Sequence, residues 1–293
     1  MRCYRKRDAE QFRLLTVFAG TTYDLTSTVD SPREFGDLAR IASDRNLTVE
    51  ECIRDLSVDA AAVDNTGTAT ELTAQAELPV VPDEVWAAGV TYEISEAARE
   101  SESGMPEVYL NVYEAERPEL FFKATASRTV GPNESVGIRG DSTWDVPEPE
   151  LGIVLHYGEI VGYTIGNDMS SRALEGENPL YLPQAKVYDK SCALGPCVVP
   201  ATVRSDWDDR TMEMTIERDG ERYYNESTST SEMVRSHEEL VSYLNRHNSI
   251  PETTVLLTGT SLVPEDTFTL TDGDEITISI DGIGTLKNTV TTV

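Results

Sequence analysis

The chain has 293 residues, with 52 Asp and Glu against 24 Lys and Arg, and a net charge of -28. Such a surface repels phosphate, which excludes nucleic-acid binding and adhesion to anionic membranes as main roles. No apolar run reaches the roughly 18–20 residues of a membrane span, and a chain of this length builds one large packed domain or two small ones.

Only five basic residues are lysines: Lys6, Lys123, Lys186, Lys190 and Lys287. Acid excess with scarce lysine reads as a halophilic protein, working where counterions screen self-repulsion. The basic start, Met1 to Arg7, runs into Asp8, Glu10 and Gln11 rather than an apolar stretch, so it does not read as a signal peptide. The four cysteines form no Cys-x-x-Cys pair and there are only three histidines, which argues against zinc and for a reducing, cytoplasmic setting.

Residues 1–75 read as a small N-terminal α+β domain. Phe12 to Phe18 is strand-like. Ser31-Pro32-Arg33-Glu34 has the form of a capping box, and Phe35, Leu38 and Ile41 follow at helical spacing. Thr48-Val49-Glu50-Glu51 is a second box ahead of Cys52, Ile53 and Leu56. Residues 64–77 are polar and rich in Thr, Ala and Gly, which predicts a loop or linker.

Residues 76–293 are mainly β. Leu151–His156 and Ile160–Ile165 read as strands joined by a tight turn at Tyr157-Gly158-Glu159. Ser236-His237-Glu238-Glu239 opens a helix. Strands return at Thr267–Leu270 and, after the turn Thr271–Asp274, at Glu275–Ile280. The predicted class is α+β with strands dominant.

Alternate residues of a strand share a face, so Pro147-Glu148-Pro149-Glu150 projects two carboxylates together. The prolines forbid ladder hydrogen bonds and mark a sheet edge or a strand entry. Simple counting around the hairpin sets Glu150 across from about Asp168. Three converging carboxylates repel unless a cation lies between them, and hard oxygen ligands suit Mg²⁺, Mn²⁺ or Ca²⁺. Acid-x-acid pairs are common in so acidic a chain, so spacing alone does not decide the matter.

From about Val85 onward the chain resembles the fumarylacetoacetate hydrolase family. The likeness is carried in order by Pro118–Lys123, Glu148-Pro149-Glu150-Leu151, Gly166-Asn167-Asp168-Met169-Ser170-Ser171-Arg172, Lys186-Val187-Tyr188-Asp189, Thr258-Gly259-Thr260-Ser261 and Gly282–Asn288. The resemblance implies a mixed β-roll catalytic domain. It also implies a divalent cation, usually Mg²⁺, on Glu148, Glu150 and Asp168, and a 2-oxo acid substrate chelating that cation. Lys186, Arg172 and Thr260 match positions that line the substrate, and Lys123 matches a further lysine near the site. A homodimer or homotetramer is the implied assembly.

Hydrolase and decarboxylase members carry Asn-Tyr-x-x-His-x-x-Glu early in the domain, a dyad that activates water. Here Ser95 and Ala98 stand at the His and Glu positions, and Glu175 stands where the family usually has glutamine. Neither Ser95 nor Ala98 serves as that base. Trp86–Tyr92, Tyr113–Lys123 and Leu174–Lys186 resemble a narrower branch, the archaeal 2-keto-3-deoxy-pentonate dehydratases of oxidative pentose degradation. That branch implies conversion of 2-keto-3-deoxy-D-xylonate (2-dehydro-3-deoxy-D-arabinonate) to 2,5-dioxopentanoate, which needs no attacking water. On this reading Lys186 is the base at C3, its pKa lowered by the cation and partial burial. Glu114 is the candidate acid at C4, with Glu175 second. The competing expectations are a C–C bond hydrolase or oxaloacetate decarboxylase acting on an acylpyruvate-type 2-oxo acid, and a non-catalytic protein with a structural cation.

Overall fold

The basic start of the chain is a strand, where the sequence pattern suggests none. The computed structural model describes residues 1–63, 69–92 and 115–293. It opens with a meander of β1 (Arg2–Asp8), β2 (Gln11–Phe18) and β3 (Thr21–Asp24), followed by α1 (Phe35–Asp44) and α2 (Val49–Asp59). The Thr48–Glu51 box caps α2 as expected, with both reciprocal bonds present. The box at Ser31 does not cap α1. Ser31 sits in the left-handed region at φ 45° rather than in the extended backbone an N-cap takes. The cap is Glu34, whose carboxylate accepts the amides of Gly36 (3.0 Å) and Asp37 (3.2 Å).

The segment expected as linker is partly ordered. After the short strand β4 (Ala61–Ala62), it contains α3 (Ala69–Ala74) and β5 (Ala76–Glu77). The ladder partner of β5 is β1, with Arg5 opposite Glu77. Tertiary pairing thus overrides a polar local composition. The chain continues through β6 (Glu84–Gly89), β7 (Glu119–Ala124), β8 (Thr129–Val130), β9 (Ser135–Ile138), β10 (Asp145–Val146), β11 (Pro149–His156) and β12 (Glu159–Asp168). Next come β13 (Ser170–Ser171), α4 (Arg172–Glu177), α5 (Leu182–Lys186), β14 (Cys192–Pro200) and the hairpin β15 (Thr211–Arg218) with β16 (Glu221–Ser229). The last elements are α6 (His237–Asn245), β17 (Thr253–Leu257), β18 (Glu275–Ile280) and β19 (Gly284–Thr292). Ser236 caps α6 as predicted. Residues 267–270 are not a strand. They are tied down singly instead, Leu270 N to Asp145 O at 3.0 Å and Arg218 to Thr269 O at 3.0 Å.

Two sheets result. A twelve-stranded sheet runs β4-β3-β2-β1-β14-β12-β11-β17-β6-β7, with β5 on β1 and β8 on β14. A five-stranded sheet runs β16-β15-β18-β19-β9. Most neighbours are antiparallel, but β17 with β6, β19 with β9 and β14 with β8 are parallel, so the fold is the expected strand-dominated α+β type with mixed sheets. The N-terminal strands join the rest through β1 and β14, where Cys3 faces Val198.

The large sheet is covered on both faces. Leu151, Ile153, Leu155, Tyr163 and Ile165 form one buried cluster with Met212, Met214, Ile216, Ile276, Ile278 and Leu286 of the small sheet. Val154, Val198 and Leu257 form another with Phe35, Leu38 and Ile53 of α1 and α2. Gly162 makes room for that contact, because a Cβ there would lie 2.6 Å from Val198 and 3.0 Å from the Phe35 ring. Each such buried side chain contributes about 1.5–3 kcal/mol. The helices cover one end of this face, and the carboxylates occupy the other.

Candidate metal centre and active site

The acids are carried by the β11–β12 hairpin. Its turn is two residues, Tyr157 and Gly158, at φ 47° and 84°, the left-handed geometry a tight hairpin requires. A bulge follows, since Leu155 faces Ile160 while Val154 faces Gly162. Glu150 therefore faces Gly166, and Asp168 donates its amide to Glu148 O at 2.9 Å. The expected pairing of Glu150 with Asp168 is two residues out, because the turn centres on Tyr157 and Gly158 rather than Gly158 and Glu159, and the bulge offsets that only in part. An even offset preserves the side-chain face, so the three carboxylates still converge. Pro149 opens a strand flanked by β12 and β17, so the prolines mark a strand entry and not an edge.

Glu148, Glu150 and Asp168 are all buried, and an oxygen from each lies within 4.8 Å of the others. Three basic side chains surround them. Lys186 ends α5, and its Nζ donates to Glu148 Oε2 (2.5 Å), Asp168 Oδ2 (3.1 Å) and Ser170 Oγ (2.6 Å). Arg172 begins α4 and meets Glu148 Oε1 at 2.9 Å. Lys123 is fully buried in β7. Its Nζ lies 2.5 Å from Asp168 Oδ1 and donates to Met169 O (2.8 Å) and Lys186 O (2.5 Å). An ammonium has three donors, so Lys123 is fully engaged with protein. Glu150 Oε2 accepts the amide of Gly259 at 2.6 Å. Gly259 sits at φ +84°, with Thr91 Oγ1 2.2 Å from where a Cβ would be, so only glycine presents that amide without strain.

The electrostatics are uneven. Burial raises the Glu148 pKa, but Lys186 and Arg172 outweigh it and hold the group ionised. Glu150 is pushed well above the carboxylate range by burial, then by Asp168 and Glu148. It keeps a proton where a divalent cation would otherwise balance the charge. Burial lowers the Lys186 pKa, but Asp168 and Glu148 more than reverse this. Without a cation, two carboxylates at hydrogen-bond distance outweigh desolvation; the expected lowering belongs to the cation-loaded site. Three hard, buried oxygens, one of them on a carboxyl that burial and two acidic neighbours push upward, fit a divalent cation of the Mg²⁺ type.

The other predicted residues divide. Thr260 follows Gly259, and its Oγ1 accepts the amide of Leu262 at 3.0 Å. Glu175 lies in α4, close enough to act electrostatically on Lys186 and Glu119. Glu114, Ser95 and Ala98 lie outside the described residues. A carboxyl not assigned from the sequence is also present: Glu119, the first residue of β7. Burial, then the charge of Glu175, raises its pKa. It faces Gly89 across the β6–β7 ladder, and a Cβ on Gly89 would lie 2.2 Å from Glu119 Oε2. Phe121, two residues on and so on the same face, has its ring 5.4 Å from Lys186 Nζ. The usable signal was strand alternation: the Glu119 and Phe121 side chains share a face, and Lys123 sits at the adjacent bulge.

The profile of the fumarylacetoacetate (FAA) hydrolase C-terminal family matches residues 84–291. Over 281 residues the chain is 60% identical to a probable 2-keto-3-deoxyxylonate dehydratase of Haloferax volcanii, covering 96% of each chain. It is 44% identical over 214 residues to the 2-dehydro-3-deoxy-D-arabinonate dehydratase of Saccharolobus solfataricus, covering 71% of this chain and 72% of the relative. Among solved structures, a 2-keto-3-deoxy-D-arabinonate dehydratase complexed with magnesium and 2,5-dioxopentanoate superposes with a TM-score of 0.84 at 33% identity. That match covers 100% of this chain and 99% of the other.

Proposed function

The chain belongs to the fumarylacetoacetate hydrolase family, and from that premise we propose that it is a Mg²⁺-dependent hydro-lyase. Its substrate on this reading is 2-keto-3-deoxy-D-xylonate (2-dehydro-3-deoxy-D-arabinonate), and its product 2,5-dioxopentanoate. The observation that carries the reading is the buried Lys186 amine within hydrogen-bond reach of two members of the carboxylate triad. It sets a proton acceptor beside the atoms that would hold the ion.

Glu148, Glu150 and Asp168 are the proposed ligands. A divalent cation there supplies Lewis acidity to a 2-oxo acid, polarising the C2 carbonyl and acidifying C3. With the charge of Glu148 and Asp168 offset, burial and the Arg172 charge both favour the neutral amine of Lys186, against Glu175. Lys186 then takes a proton from C3. Glu119, whose raised pKa favours the protonated form, donates its proton to the C4 hydroxyl, which leaves as water. The enone with its C5 alcohol tautomerises to the C5 aldehyde. Arg172 holds Glu148 and borders the substrate, while Lys123 keeps Asp168 and the end of α5 in place. Thr260 and Glu175 are proposed at the substrate's edge.

Incubation with Mg²⁺ and 2-keto-3-deoxy-D-xylonate should yield 2,5-dioxopentanoate, with no turnover of fumarylpyruvate or oxaloacetate. Turnover of either of those alone would replace the dehydratase reading with a hydrolase or decarboxylase. Run from about 0.1 M to about 3 M KCl, the same assay tests the proposed halophilic, cytoplasmic setting: activity should rise with salt as counterions screen the acidic surface. Size-exclusion chromatography in the same buffers tests the proposed homodimer or homotetramer.

Gly89→Ala addresses Glu119. The added methyl displaces the far end of a flexible side chain, so thermal stability should barely change. Misplacing the acid by about 1 Å should lower kcat on the order of 100-fold. A normal kcat would mean that the Glu119 carboxyl does not act at C4.

A further inference from the structure

One stretch of chain, residues 233–243, contacts both the backbone that follows β6 and the backbone that precedes β7, the strands on which Gly89 and Glu119 lie. On the β6 side, the Val234 amide donates to Thr91 O at 2.8 Å, and Tyr92 forms an antiparallel bridge with Met233. On the β7 side, Arg235 donates to the carbonyl oxygens of Ala115 and Glu116, the latter at 3.4 Å. Arg117 lies over the Tyr243 ring at 5.5 Å. Arg235 is anchored in turn by Glu239, one helical turn on, at 2.7 Å, and its side chain is only 12% exposed.

Ala115, Glu116 and Arg117 precede β7 and lie outside its ladder. Backbone carbonyls outside a ladder need other partners, and a side chain that supplies them also holds the segment in place. Arg235 does so with a planar fork that spans two carbonyls and a carboxylate at once. Glu119 follows this stem by two residues, and its carboxyl lies against Gly89, in the space a Cβ there would fill. Glu119 and Gly89 are the last ladder pair of β6 with β7, so the aim of the carboxyl depends on the stem as well as on Gly89.

We infer that Arg235 is a positioning residue of the reaction: it fixes the entry of β7 to α6 and thereby aims the Glu119 carboxyl at the C4 hydroxyl. The inference rests on the reading of Glu119 as the acid.

The test separates two halves of the chemistry. The C3 protons of 2-oxobutyrate exchange with D2O using Lys186 and Mg²⁺ alone, since this ketoacid has no C4 hydroxyl to expel. Arg235→Ala should lower dehydration kcat by about 10- to 100-fold, with 2-oxobutyrate exchange and the Mg²⁺-induced thermal shift within about twofold of the parent. Arg235→Lys, which keeps the charge but not the fork, should fall between. If Arg235→Ala does not fold, Arg235→Lys carries the test with the same split. Parallel loss of exchange and dehydration, or normal dehydration in both variants, overturns the inference. Glu119→Gln run alongside tells the two failures apart. Normal dehydration in Glu119→Gln removes the acid assignment. Lost dehydration there, with none lost in the Arg235 variants, removes only the positioning role.

Discussion

Lys186→Met should give a protein that binds Mg²⁺ and no longer dehydrates its substrate. Removing a positioned base costs about 100- to 10,000-fold in rate. The amine also pairs with Glu148 and Asp168, so its loss leaves buried carboxylates short of a counter-charge. Breaking such a pair costs about 3–5 kcal/mol, and the metal-free variant should melt well below the parent. Mg²⁺ should recover more stability in the variant than in the parent, because a competing cation is gone from its site. Product formation followed with Mg²⁺-dependent thermal melts checks both halves. Near-parental turnover would remove Lys186 as the base.

Glu150→Gln should have the opposite effect on the metal-free fold. The folded-state pKa of Glu150 is raised by burial, then by its two acidic neighbours. A carboxyl of that kind contributes fully below its unfolded pKa of about 4.3, and the contribution is lost as pH rises through the folded value. Metal-free parent protein should therefore lose stability with rising pH across that window. The glutamine variant should lack this loss and melt higher at pH 8. It should also forfeit the Mg²⁺-induced gain, which at 100 times Kd is about 2.7 kcal/mol for a binding-competent site. A parental Mg²⁺ shift in Glu150→Gln would take Glu150 out of the ligand set.

The triad was legible because strand parity is robust. Glu148 and Glu150 alternate with prolines, and the register error at Asp168 was even, so the predicted face survived it. Lys186 was not legible from local pattern: it is a lone lysine at the end of a five-residue helix, and its meaning comes from where β13 and β12 lie. Glu119 depends on more. Its site arises from pairing with Gly89, which is 30 positions earlier, and from a stem held by Arg235, 116 positions later. Resemblance drew attention to Glu114, which lies outside the described residues. The failed cap at Ser31 has the same origin, since Glu34 also binds the amide of Val81 at 3.1 Å, a partner no window of local sequence contains.

The bulged hairpin has a consequence for how such a chain varies in length. Because side chains in a ribbon alternate, its acids are read in steps of two. One residue added or lost between Glu150 and Asp168 would swing the aspartate into the oily interior beneath it. Two added together at the exposed tip would leave it facing its partners. Indels there should be tolerated in even numbers and eliminated in odd ones, as codons tolerate only multiples of three.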